Sequence, residues 1–183
     1  MHIRDILAGE GTKFSVAFFP HKTPEAAETL SRTVAESQRC EPAFVGVTYG
    51  AGGITQEATR GLVDRILRET KLNAIPHLTC VGHRRREIED LVEGYAAAGI
   101  SNILALRGDP PQNATGIPAA DLPFAAEPVA FIRRFSEMHG HDFGIGVAGF
   151  PEGHPAMPDR LKARDLLKAK VDAGAVDICA QLF

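Results

Sequence analysis

The chain has 183 residues, with 20 Lys and Arg against 23 Asp and Glu, for a formal net charge of −3. That length suits one domain with a real hydrophobic core and no need of covalent staples. The slightly acidic balance argues against nucleic acid or an anionic membrane as the main partner, because both require a strongly basic face.

In chain order, a first strand is expected over Phe14–Phe19 (FSVAFF). A helix follows from Thr23-Pro24, a capping hydroxyl with proline at the first helical position, and carries Ala27, Leu30 and Val34 on one face. The second strand, Ala43–Tyr49, leads to a helix over about Thr55–Thr70 with Leu62, Val63, Ile66 and Leu67. The third, Ala74–Cys80, leads to a helix over Arg84–Ala98 with Ile88, Leu91, Val92 and Tyr95, stopped by Gly99. After the fourth strand, Asn102–Arg107, comes a long loop, Pro110–Ala126, and then a helix over Glu127–Met138 with Phe131, Ile132 and Phe135. The fifth strand, Phe143–Phe150, precedes a helix over Arg160–Ala173 with Leu166, Leu167 and Val171, and the sixth is Val176–Phe183.

Several of these strands lack polar alternation, as expected when both faces of a parallel sheet are covered. A strand about every 30 residues is one βαβ step. The whole of 1–183 therefore reads as a single α/β domain with no interior linker. An open doubly wound sheet and a closed barrel both fit such a repeat. Polar residues gather at the C-terminal ends of the strands: Thr48-Tyr49, His77 with Thr79, Arg107-Gly108-Asp109, Glu152 with His154, and Gln181. A barrel places its active site at that rim. The turn after the first strand reads FFPHKT, without the GxGxxG of a dinucleotide fold, which favours the barrel.

Cys40, Cys80 and Cys179 are far apart, odd in number and set among apolar neighbours, so three buried thiols in a reducing compartment are expected. The N-terminal MHIRDILAGEG has no apolar signal core, and no apolar run reaches the roughly 18 residues of a membrane span. A soluble cytoplasmic protein is expected.

Taken singly, the motifs leave alternatives open. Gly50-Ala51-Gly52-Gly53 after a strand suits a phosphate cradle or simply an adaptable loop. His77 suits a ligand contact or a satisfied core histidine, and Arg107 with Asp109 a site or a structural ion pair. Glu152 and His154 lack a second His at zinc spacing, so no metal site is expected.

The ordered series FFPHKT, VTYGAGG, PHLTC, GISNILALRGDPP, IGVAGFPEGHP and KVDAGAVDICAQLF resembles methylenetetrahydrofolate reductase from about Phe14 to Phe183. The resemblance implies a (β/α)8 TIM-type barrel, of which about six β/α units are present here. It implies a flavoprotein of one-carbon metabolism that uses FAD, takes hydride from NADH or NADPH, and reduces 5,10-methylenetetrahydrofolate to 5-methyltetrahydrofolate. A folate is then the small-molecule substrate, and a homo-oligomer is a possible assembly. By matching positions, Thr48, Ala51, His77, Arg107, Gly108, Ala119, Phe150, His154 and Lys170 correspond to cofactor-binding residues. Asp109 corresponds to the aspartate beside flavin and pterin, and Gln181 to a glutamine that hydrogen-bonds the folate. Both count as catalytic candidates.

The chain departs from the family at identifiable positions. Ala17 stands where a glutamate serves as general acid in opening the folate ring, and His21, four residues on, replaces a proline. An alanine cannot donate a proton, and loss of a positioned acid costs about 10²–10⁴-fold. Phe150 replaces a tyrosine, Ala180 a threonine, and Ala163 an aspartate that contacts FAD, and the loop before Asp121 lacks the usual aromatic. A typical barrel of this kind needs about 250 residues, so the resemblance implies two further units. A fragment of a longer gene, a decayed paralogue and a truncated reading frame all fit that reading, as does a pseudoenzyme that keeps cofactor binding.

Overall fold

The computed structural model describes residues 1–20, 23–49, 56–108, 126–153 and 159–180. Six parallel strands are hydrogen-bonded in chain order: β1 (Ser15–Phe18), β2 (Phe44–Val47), β3 (Ala74–Thr79), β4 (Asn102–Leu106), β5 (Gly144–Gly149) and β6 (Asp177–Ala180). Each pairs with the next, from Ser15 opposite Phe44 at one edge to Gly149 opposite Ala180 at the other. Strands taken in order, with a helix after each of β1 to β5, curl into a half-barrel with β1 and β6 as its edges.

The helices are α1 (Ile3–Ala8), α2 (Pro24–Ser37), α3 (Gln56–Glu69), α4 (Arg85–Ala97), α5 (Glu127–His139) and α6 (Arg160–Asp172). Their starts follow local chemistry. Thr23 Oγ1 accepts from the Ala26 N–H at 3.3 Å, and Asp159 Oδ1 accepts from Leu161 and Lys162 at 3.0 and 3.1 Å. The α5 helix ends on Gly140 at φ 65°, a left-handed cap that suits glycine.

The main core lies between sheet and helices. Val45, Val47, Leu78, Ile103, Ile145 and Val147 of the strands meet Val63, Ile66, Ile88, Val92 and Ile132 of the helices, all almost completely buried. Each such side chain contributes about 1.5–3 kcal/mol relative to exposure. Period-two alternation turns Gly46, Ile75, His77, Leu104 and Gly146 to the opposite, interior face. A Cβ on Gly46 would meet His77 Nε2 and Ala17 Cβ, and one on Gly146 would meet Leu104 and Asp177 Oδ2, so these residues share that face.

The α1 helix was not foreseen in the sequence. Its Ile3 and Ile6 are buried against Ile75, with Ala43, Phe44, Leu104 and Val176 around them, and so close the N-terminal end of the half-barrel. Asn102 clamps the helix: its Oδ1 accepts from the Ile3 N–H at 2.5 Å and its Nδ2 donates to the Met1 carbonyl at 2.7 Å.

Two further expectations change. Cys80 is buried, but Cys40 and Cys179 are exposed. Cys40 ends a surface 3₁₀ turn (Gln38–Cys40), and Cys179 lies on the edge strand β6. No residue of α6 is fully buried: Leu167 packs against the core from a half-buried position, and Val171 is 45% exposed. That helix lies against the end of β5, where Lys170 reaches the Ala148 carbonyl. None of the described helices is long and apolar enough to cross a membrane.

Candidate functional site at the C-terminal rim

Parallel strands deliver their C-terminal ends to one rim, and six sequence-predicted site residues are described on or near it. Thr48, just beyond β2, is tied to β1: its N–H donates to the Phe18 carbonyl at 2.9 Å and its Oγ1 lies 3.3 Å from the same oxygen. From the other side the fully buried Thr59 of α3 donates to the Thr48 carbonyl at 3.1 Å. The rim end of β2 is therefore held by both neighbours.

His77 stands on the interior face of β3. Burial lowers its pKa from 6.5 to about 4, so the imidazole is neutral at physiological pH. The point where Cβ of Gly46 would stand is 3.3 Å from His77 Nε2 and 3.8 Å from Ala17 Cβ, which puts those two atoms within about 7 Å of each other. Ala17 and the rim histidine thus share one floor, with only a glycine between them.

At the end of β4, Gly108 adopts φ 83°. A Cβ there would come 2.6 Å from Val81 Cγ1 and 3.0 Å from Thr79 Cβ, so glycine lets the β4 exit pack on the β3 exit. The Val81 and Cys80 N–H groups donate to the Arg107 carbonyl at 2.8 and 3.1 Å and fix that packing. Beside it, the buried Thr79 Oγ1 has no hydrogen-bond partner among the described residues.

Lys170 crosses from α6 to the end of β5, where its Nζ donates to the Ala148 carbonyl at 2.7 Å. Burial lowers its pKa, and the Arg107 guanidinium lowers it further. Two cations from different β/α units therefore converge on one part of the rim. Phe150, just past β5, is 36% exposed there.

The structure thus brings Thr48, His77, Arg107, Gly108, Phe150 and Lys170 to the same end of the sheet. Ala51, Asp109, Ala119, His154 and Gln181 lie outside the described residues, as do His21 and the Gly50–Gly53 segment. Asp177 had not been singled out. Its half-buried carboxyl faces the interior between Gly146 and the edge, with its pKa raised by burial. Thr79 was legible as a rim residue two positions past His77 on the same face, but its orphaned hydroxyl was not.

Comparison with known proteins agrees on one family. Residues 2–183 match the methylenetetrahydrofolate reductase family model. The chain is 37% identical over 169 residues to 5,10-methylenetetrahydrofolate reductase of Pectobacterium carotovorum, covering 92% of this chain and 54% of that protein. It is 36% identical over 186 residues to methylenetetrahydrofolate reductase (NADH) 1 of Zea mays, covering 96% of this chain and 31% of that one. It spans about half the length of the bacterial relative and about a third of the plant one. Among solved structures, 2,3-dimethylmalate lyase matches at TM-score 0.67 and 10% identity, covering 98% of this chain and 62% of that one, a likeness of fold alone. A phosphoenolpyruvate phosphomutase from Streptomyces platensis matches at TM-score 0.66 and 14% identity, covering 97% and 62%. With a family model over nearly its whole length and relatives above a third identical, the chain belongs to the methylenetetrahydrofolate reductase family.

Proposed function

We propose that this chain is the FAD-holding part of a (β/α)8 barrel that reduces 5,10-methylenetetrahydrofolate to 5-methyltetrahydrofolate with NADH or NADPH. The observation that carries the reading is the convergence of Arg107 and Lys170. Burial and the nearby Arg107 guanidinium both disfavour the charge on half-buried Lys170, so an anion bound beside the two cations would stabilise it, and the FAD diphosphate is one. The buried Thr79 hydroxyl, without a partner among the described residues, fits a nearby polar ligand.

FAD, when bound, relays hydride from the nicotinamide to the one-carbon unit of the folate. The chain's own residues bind and orient. Lys170 and Arg107 neutralise phosphate, with Ala51, Ala119 and His154 as further contacts. Thr48 and neutral His77 would offer hydrogen bonds to the cofactor. Phe150 supplies an apolar wall. Asp109, by its matching position, would stand beside flavin and pterin and stabilise positive charge on the opened folate, and Gln181 would hydrogen-bond the folate. The folate, the assembly into a homo-oligomer and the completion of the barrel by further β/α units belong to the same proposal.

The decisive experiment is the visible spectrum of the purified chain with added FAD, followed by anaerobic NADH or NADPH. A bound flavin that bleaches supports the reading, and a chain that takes up no flavin refutes it. Ala17 favours a second reading, in which the chain binds and reduces flavin without completing folate reduction. Bleaching without reoxidation by 5,10-methylenetetrahydrofolate, cured by Ala17→Glu, selects that second reading.

A further inference from the structure

Two buried polar side chains meet just behind the rim, and neither has a place in the proposed chemistry. Tyr49, immediately after β2, and His83, in the turn between β3 and α4, are each 8% exposed. The Tyr49 hydroxyl lies 2.9 Å from His83 Nε2, and the rings meet edge to face with centroids 5.8 Å apart. On the far side of the imidazole, Nδ1 is 3.7 Å from Glu87 Oε2. Glu87 is itself anchored, because Oε2 accepts the Arg84 N–H at 2.6 Å at the start of α4.

The protons can be assigned from these contacts. Burial, with the Glu87 charge adding to it, pushes the Tyr49 phenol up to about 12, so it stays protonated and able to donate. A phenol that donates to Nε2 pairs with the tautomer whose ring proton sits on Nδ1, facing the Glu87 carboxylate. The result is a directional chain, Tyr49 to His83 to Glu87, that joins two consecutive rim segments 34 positions apart. Volume alone does not explain it. A phenylalanine would fill the Tyr49 site, and a buried imidazole costs stability unless its nitrogens are engaged.

We propose that His83 is a positioning residue: by accepting the Tyr49 hydroxyl it clamps the head of β2 to the turn after β3 and fixes the placement of Thr48 at the rim. This rests on the flavin-binding reading for its consequence, because Thr48 begins the rim segment expected to meet the cofactor. The hydrogen bonds from Thr48 to Phe18 and from Thr59 to Thr48 hold that residue from its other neighbours. The Tyr49–His83 bond supplies the restraint toward β3.

The test uses the full chain with three variants, His83→Phe, His83→Gln and Tyr49→Phe. Phenylalanine at 83 keeps the edge-on packing and removes the acceptor, while the glutamine amide oxygen reaches about as far as Nε2 and can accept. FAD affinity is read by flavin fluorescence, and Thr48 amide exchange by NMR. The clamp predicts that His83→Phe and Tyr49→Phe each weaken FAD about five- to tenfold, the size of one buried hydrogen bond. The double variant is no worse than either single one, and His83→Gln recovers most of the loss. Affinities within twofold of wild type in both phenylalanine variants would overturn it. If the wild-type chain takes up no FAD, the functional reading fails and exchange decides the clamp alone. Faster Thr48 exchange in the phenylalanine variants, restored by glutamine, upholds it, and unchanged exchange overturns it.

Discussion

Replacing Ala17 with glutamate tests whether Ala17 and His77 share one floor. Both Ala17 Cβ and His77 Nε2 lie within 4 Å of the point above Gly46, and the opposed pairing of Ala17 with Gly46 leaves no side chain between them. A glutamate carboxylate extends beyond its own Cβ, so an approach to roughly 5 Å of the imidazole is expected. At that distance opposite charges attract by about 0.8 kcal/mol in water-like surroundings and about 3 kcal/mol at an effective dielectric constant of about 20. The His77 titration midpoint, held at about 4 by burial, should therefore rise by about one to two pH units. The assay is a ¹H–¹⁵N titration of the imidazole in wild type and Ala17→Glu. A midpoint that stays within about 0.3 pH unit, or falls, would refute the shared floor, since even water-like screening, the strongest on this scale, gives about twice that.

Three other outcomes follow from the same geometry. Gly144→Ala should lose about 1–3 kcal/mol in urea unfolding, because its Cβ would collide with Asn102 Oδ1 and stand 2.8 Å from Ile3 Cγ2 under the α1 cap; an unchanged midpoint would mean that the cap is loose. His77 is neutral in the folded chain down to about pH 4 but takes a proton below 6.5 when unfolded, so stability falls as pH drops through that window. Between pH 7.5 and 5 the loss should be about 2 kcal/mol in wild type and absent from the same comparison in His77→Gln. Lys170→Met should weaken FAD about tenfold or more, as expected when a charged hydrogen-bond donor is lost from a half-buried site, with equilibrium dialysis as the check.

Much of the fold is legible in sequence because a β/α repeat is periodic at two scales. Continuous apolar runs mark doubly covered strands such as Ile103 and Val147, and helical stripes such as Ile88, Leu91, Val92 and Tyr95 mark what covers them. The α1 helix escapes because six residues carry too little periodicity, and its partners Ile75 and Asn102 lie far along the chain. The cysteines mislead for a related reason. Apolar neighbours describe a strand or a turn well, yet say nothing of whether it stands at an edge, as Cys179 does. At the rim, position in a strand locates Thr48, His77 and Arg107, because parallel strands deliver those ends together. Proton directions and cross-loop pairs such as Tyr49 with His83 are set by three-dimensional packing, and no spacing rule announces them.

The clamp between Ile3 and Asn102 also imposes an order of events during synthesis. Each strand meets its sheet neighbour after one β/α unit, but the first helix has its docking partner 99 residues later. At about 5–20 residues per second, α1 emerges roughly 5–20 s before β4 does. For that interval its isoleucines lack Leu104 and the Asn102 clamp, although Ile75 emerges earlier, and a six-residue helix is not stable alone. The N-terminal segment is therefore among the last to settle. A nascent chain stalled before Asn102 should present it to proteases that cannot cut it in the finished fold.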